Sequence, residues 1–187
     1  MQPATHDVTD EQILTLCHQN AQLERGFRLL MAKYQERLYW HVRRLVTEHE
    51  DANDVIQNAF LKAYKGIGRF EGKSKLYTWL YRIATNEAIT FLNREKRRRT
   101  SSIDEQESDL ANRLKADDYF DGDAAQIKLQ QALATLPNKQ KLVFNMRYFD
   151  EMSYKEISGV LDTSVGALKA SYHHAVKKIE RYLVGEG

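Results

Sequence analysis

The stretch DANDVIQNAFLKAY, Asp51 to Tyr64, sets the period for the chain around it. Ala52, Val55, Ile56, Ala59, Phe60, Ala63 and Tyr64 recur at three- and four-residue steps, the spacing of one apolar face on an α-helix. Asp54, Gln57, Asn58 and Leu61 then share the opposite face. A carboxylate, two amides and an exposed leucine suit docking against another protein's helices. On chemistry alone, a solvated polar face is the plainer reading.

The same period runs outward in both directions. Phe27, Leu30, Met31, Tyr34, Leu38, Val42 and Leu45 form the preceding stripe. After the glycines of GIGRFEGKSK break the helix, a new run starts near Leu76 and passes Trp79, Leu80, Ile83 and Ala84 towards Leu92. A short opening helix starts at Thr9, where Thr9 and Gln12 have capping-box spacing. Only two prolines occur, Pro3 and Pro137, and no segment alternates with a strand's period of two. The pattern predicts an all-α chain whose first bundle closes at the basic cluster NREKRRR, residues 93–99.

The C-terminal part is helical again. QIKLQQALATL runs to Pro137, which suits the first turn of a new helix carrying Leu142, Val143, Met146 and Tyr148. Ser153 and Glu156 make a second capping box, opening a short helix with Ile157, Val160 and Leu161 inside. Thr163 or Ser164 then caps a long last helix, with Leu168, Tyr172, Ala175, Ile179 and Leu183 on one face. Short helix, tight turn, longer helix is the helix-turn-helix pattern. Between the two helical parts, residues 100–125 are acidic and poor in apolar anchors, the composition of a flexible linker.

Charge is distributed unevenly. Residues 1–100 carry a net +5, residues 101–125 a net −6 and residues 126–187 a net +3, which reproduces the +2 of the whole 187-residue chain. Two basic blocks around an acidic one point to two domains with a polyanionic partner. No apolar run is long enough to cross a bilayer, and the N-terminus lacks the basic and apolar regions of a signal peptide, so the expected location is cytoplasmic. Cys17 sits at a helix-like apolar position and reads as a buried thiol.

Three motifs in this order resemble the extracytoplasmic-function sigma factors of bacterial RNA polymerase: DANDVIQNAFLKAY, FEGKSKLYTWLYRIATNEA at 70–88, and the helix-turn-helix run from ALATLPNKQ to HHAVKKI. The resemblance implies a region 2 bundle at 1–99, the linker at 100–125 and a region 4 helix-turn-helix domain at 126–187. It also implies an alternative sigma factor that directs core polymerase to promoter DNA, with no enzymatic activity and no cofactor. Asp51, Asp54, Gln57, Asn58 and Leu61 would bind the clamp helices of the largest polymerase subunit. Phe70, Glu71, Gly72, Lys73, Ser74, Lys75, Asn86, Arg97, Arg98 and Arg99 would handle the −10 element. Ser164, Lys169, Ala170, Ser171, His173, His174 and Lys177 would handle the −35 element, and the same domain would meet the flap of the second subunit. Family members are commonly held inactive by an anti-sigma factor, which joins the candidate partners.

The residues themselves fit these roles unequally. Lys73 and Lys75 can meet phosphates, Gly72 allows close backbone approach, and a helix rich in Tyr77, Trp79 and Tyr81 could hold an unstacked base. Trp79, Leu80 and Ile83 are expected in the core. Five cations within residues 94–99 would bind duplex phosphate without sequence preference. The chain departs from the family pattern at Glu71, Leu76, Thr90, Ala167 and Ser171, the last removing a common guanine-reading arginine.

Two rivals use the same residues. One is a DNA-binding regulator whose bundle senses or dimerises; the surface at 51–64 speaks against it. The other is a metal-dependent hydrolase built on His173 and His174. Adjacent residues on a helix project about a hundred degrees apart, which is not the i, i+4 pair of a metal site, and no carboxylate orients either ring.

Overall fold

The computed structural model describes residues 8–46, 48–100 and 124–185, and every regular element among them is helical. The order is α1 (Asp10–Cys17), a 3₁₀ turn (Asn20–Gln22), α2 (Leu23–Arg43), α3 (His49–Ile67) and α4 (Leu76–Thr100). Then follow α5 (Ala124–Ala134), α6 (Asn138–Tyr148), α7 (Tyr154–Leu161) and α8 (Val165–Val184). The acidic segment lies outside the described residues apart from its two ends, Thr100 in α4 and Ala124 and Ala125 in α5.

Local signals account for the helix starts. Thr9 accepts from the Gln12 backbone N–H while the Gln12 side chain accepts from the Thr9 N–H, a reciprocal capping box. Ser153 and Glu156 repeat the device at α7. Ser164, rather than Thr163, caps α8 by accepting from Ala167. Pro137 stands one position earlier than expected, at the N-cap of α6. Asp162 supplies the sharp turn of the helix-turn-helix in the left-handed region, φ 49°, a conformation that aspartate tolerates better than most residues.

Helices α1 to α4 pack around Ile13, Leu30, Leu38, Val42, Ile56, Phe60, Ile67, Leu80 and Ala84. Helices α5, α6 and α8 close a second core of Leu133, Leu136, Phe144, Ala175 and Ile179. The two are not insulated. The first core continues through Leu142, Val143, Met146, Met152, Ile157 and Leu168 into the C-terminal domain, because α7 lies on α4. The two domains meet along one apolar seam.

Three placements depart from the sequence reading. Helix α4 continues past Leu92, to which its apolar run was followed, through the basic cluster to Thr100. Trp79 and Ile83 are half-buried at the edge, with only Leu80 of the expected trio fully inside. Tyr81, read as a base-stacking residue, is 1% exposed and packs on His41 and Tyr77. Position 81 falls on the same side of α4 as Leu80, Ala84 and Ala88, so it turns inward.

Candidate polymerase and promoter surfaces

On α3 the inward face is buried except for Tyr64, 38% exposed near its end, and Asp54, Gln57, Asn58 and Leu61 all lie exposed, Leu61 at 58%. Asp51 is half-buried at the start of the helix. Burial raises its carboxyl pKa, and the nearby Glu48, Glu95 and Asp54 raise it further against the opposing Arg94. The end of this face is thus an acidic cluster with one basic edge. Beside it, Asp54, Val55, Asn58, Glu87, Thr90, Phe91 and Arg94 line a hollow of about 190 Å³ between α3 and α4. Its far wall is fixed by an ion pair between Lys62 and Glu87, and Arg94 lies over the Phe91 ring. An exposed leucine amid acid and amide groups can bury against an apolar spot while the rim meets basic side chains.

The loop before α4 holds Glu71, Gly72, Lys73, Ser74 and Lys75 in solvent. Gly72 takes φ 71°, which a side chain would strain. Lys73 pairs with Glu71, so the departure at Glu71 neutralises part of the loop's positive charge. Phe70 needs correction as a promoter contact. It is only 9% exposed and packs against the Trp79 ring at 5.1 Å, serving as a floor under the loop. Asn86 is exposed on α4, and its carbonyl accepts from the Thr90 hydroxyl at 2.8 Å. Further along, Thr90, Asn93, Arg94, Arg97 and Arg98 border an open concavity. The side chain of Arg99 lies outside the described set.

In the C-terminal domain, α8 presents Ser164, Gly166, Ala167, Lys169, Ala170, His173, His174 and Lys177 to solvent, with Ser171 half-buried. Leu168 is fully buried and anchors the helix on α7. Tyr172 is half-buried and stacks on Phe144 at 5.8 Å, on the core side as expected. Lys169 reaches back over Tyr154 at 5.9 Å. Ser164 accepts the cap bond, which leaves its O–H able to donate to a phosphate. The rings of His173 and His174 stand 6.1 Å apart, and no group of three metal-ligating side chains occurs among the described residues. A short helix, a left-handed turn and an exposed second helix of mixed basic and small residues is the geometry of a major-groove reader.

The family model described as sigma-70 region 2 matches residues 30–98, and the model for sigma-70 region 4 matches residues 126–179. The RNA polymerase sigma-H factor of Pseudomonas aeruginosa is 32% identical over 177 residues, covering 86% of this chain and 87% of its own. The chain is an extracytoplasmic-function sigma factor.

The ECF RNA polymerase sigma-E factor of Escherichia coli K12 is 32% identical over 84% of this chain and 86% of its own. CnrH, solved in complex with the cytosolic domain of CnrY, shares the fold at a TM-score of 0.70 and 21% identity, covering 95% of this chain and 99% of its own. RpoE from Bartonella quintana, solved with the anti-sigma factor NepR, does so at 0.70 and 20%, over 85% and 97%. This sigma factor therefore binds core RNA polymerase and directs promoter-specific transcription initiation. No described helix is long and apolar enough to cross a membrane.

Sequence reasoning missed the residues that join the two domains: His41, Arg44, Arg82, Thr85 and Asp150. His41 Nδ1 donates to Asp150 at 2.7 Å, and its Nε2 lies 2.9 Å from Thr85 Oγ1. His41 and Asp150 are 109 positions apart, so no local pattern links them.

Proposed function

We propose a division of labour between the two regions. Asp51, Asp54, Gln57, Asn58 and Leu61 form the contact for the clamp helices of the largest polymerase subunit. The loop from Glu71 to Lys75, Asn86 and the basic end of α4 at Arg97, Arg98 and Arg99 engage the −10 element. Ser164, Lys169, Ala170, Ser171, His173, His174 and Lys177 engage the −35 element, and the same domain meets the flap of the second subunit. The units run over 1–99, 100–125 and 126–187. The protein has no catalytic chemistry of its own and works in the cytoplasm. An anti-sigma factor joins the partners, as it does for the Bartonella quintana neighbour.

The observation that carries this reading is the α3 face. Its inner side is packed while Leu61 and three polar neighbours stand exposed beside an acidic cluster. A stand-alone regulator has no use for that surface, since nothing about it suits DNA. Run-off transcription with core polymerase on genomic promoter fragments tests the reading. Specific transcripts that depend on this protein are expected; none, together with no core retained in a pull-down, contradicts it.

A further inference from the structure

Among the described side chains of α4, Ala88 is the last that is buried, and Asn93, Arg94, Lys96, Arg97 and Arg98 beyond it are all exposed. Asn86, Thr90, Asn93 and Arg97 are spaced i, i+4, i+7 and i+11, one stripe along the helix. Cations flank that stripe. At about 100° per residue, Lys96 falls about 60° to one side of Asn93 and Arg94 about 100° to the other. An amide between two cations matches a DNA groove, where base edges lie between two phosphate backbones. Thr90, Asn93, Arg94, Arg97 and Arg98 border the open concavity at this end of α4.

The hydrogen bonds of these groups decide what they can read. The Thr90 hydroxyl donates to the Asn86 carbonyl at 2.8 Å, which leaves its oxygen to meet a ligand only as an acceptor. The Asn93 amide has no hydrogen-bond partner among the described residues and offers a donor and an acceptor side by side. That pair complements the N7 acceptor and the N6 donor on the major-groove edge of adenine. Phosphate alone calls for cations, and the flanking residues supply them.

The assignment of α4 to the −10 element sets the direction. Melted bases belong at the loop 71–75, and the duplex that leads to the −35 element leaves past Asn86 towards Arg97. Seven residues of helix place Asn93 about 10 Å beyond Asn86, which is about two to three base pairs of duplex.

We propose that Asn93 is a specificity residue for a third promoter contact. Its amide reads an adenine in the duplex, about two to three base pairs upstream of the contact made by Asn86. Thr90 stands beside that base, and Arg94 and Lys96 hold the phosphates on either side. The inference rests on the assignment of α4 to the −10 element.

The test takes a genomic promoter fragment that gives a run-off transcript and randomises the upstream half of its −10 element together with the adjoining spacer. Fragments retained by the full-length protein on core polymerase are sequenced. The wild type should favour an adenine at one spacer position. Asn93→Ala, which removes an exposed side chain and leaves the core intact, should flatten that position by about fivefold or more and leave the others as they were. Asn93→Asp keeps the shape but loses the amide donor, and should flatten it as well. Asn86→Ala should flatten a position about two to three base pairs downstream, which fixes the register. Arg97→Ala should weaken all sequences evenly and reduce the salt dependence. A spacer without preference beside an intact −10 preference overturns the third contact alone. So does an Asn93→Ala variant that keeps the wild-type preference or loses all sequences evenly. Loss of preference in Asn93→Ala with none in Asn86→Ala upholds the third contact and removes Asn86 from the −10 assignment. A wild type indifferent to every randomised position overturns the third contact and the α4 assignment together.

Discussion

Helices α4 and α8 both belong to the reading machinery, yet they sit differently in the fold. On α8 the face from Val165 to Lys177 is exposed, with Lys169 reaching over Tyr154 at its edge. On α4 one side is core, through Leu76, Leu80, Tyr81, Ala84 and Ala88, and the other is exposed but tied to α7 where Arg82 donates to the Gly159 carbonyl. A recognition helix can be a surface element with one anchored stripe. A helix that must support a bundle, hold a domain joint and handle DNA has little surface to spare. Substitutions on the exposed face of α8 should therefore act on binding alone, and those on α4 on stability as well.

The largest effect sharpens that contrast. Tyr81→Ala empties a fully buried aromatic site beside His41 and should destabilise the protein by about 3–5 kcal/mol in chemical denaturation. A loss confined to DNA binding would return Tyr81 to the reading surface. Lys169→Ala should weaken upstream promoter binding by about 1 kcal/mol, reduce its salt dependence and leave the melting temperature unchanged. An equal loss of stability would mean that Lys169 holds α8 on α7.

A pH test concerns the joint. Burial, with help from Arg43, lowers the Lys141 pKa from 10.5 to about 8. The folded chain thus binds the Lys141 proton less tightly than the unfolded one. Below pH 8 the ammonium is present in both states, and folding bears the cost of burying it. That cost disappears as pH rises from about 8 towards 10.5. Chemical denaturation should show the wild type gaining stability relative to Lys141→Met as pH rises across this window.

The same contrast explains what the sequence made legible. Helix periodicity, both capping boxes and the exposed face of α8 rest on residues within two turns of one another, so local spacing reveals them. Phe70 and Tyr81 misled because an aromatic residue near a basic loop has the same composition whether it faces a base or a core. Burial there is decided by Trp79 and by His41 from another helix. The joint was invisible for a stronger reason. Asp150 and His41 meet only after α6 and α2 are brought together, and nothing near either residue announces the other. The length of α4 past Leu92 left no apolar period to follow, although 93–100 contains neither glycine nor proline to stop a helix.

The division of labour is tested most directly by measuring core-polymerase affinity for two variants side by side, Asp54→Ala/Gln57→Ala and Lys169→Ala. The α3 pair should weaken core binding at least tenfold, corresponding to about 1.4 kcal/mol, with folding unchanged. Lys169→Ala should bind core as the wild type does. Core affinity left intact in the α3 variant, or lost equally in both, would contradict the account.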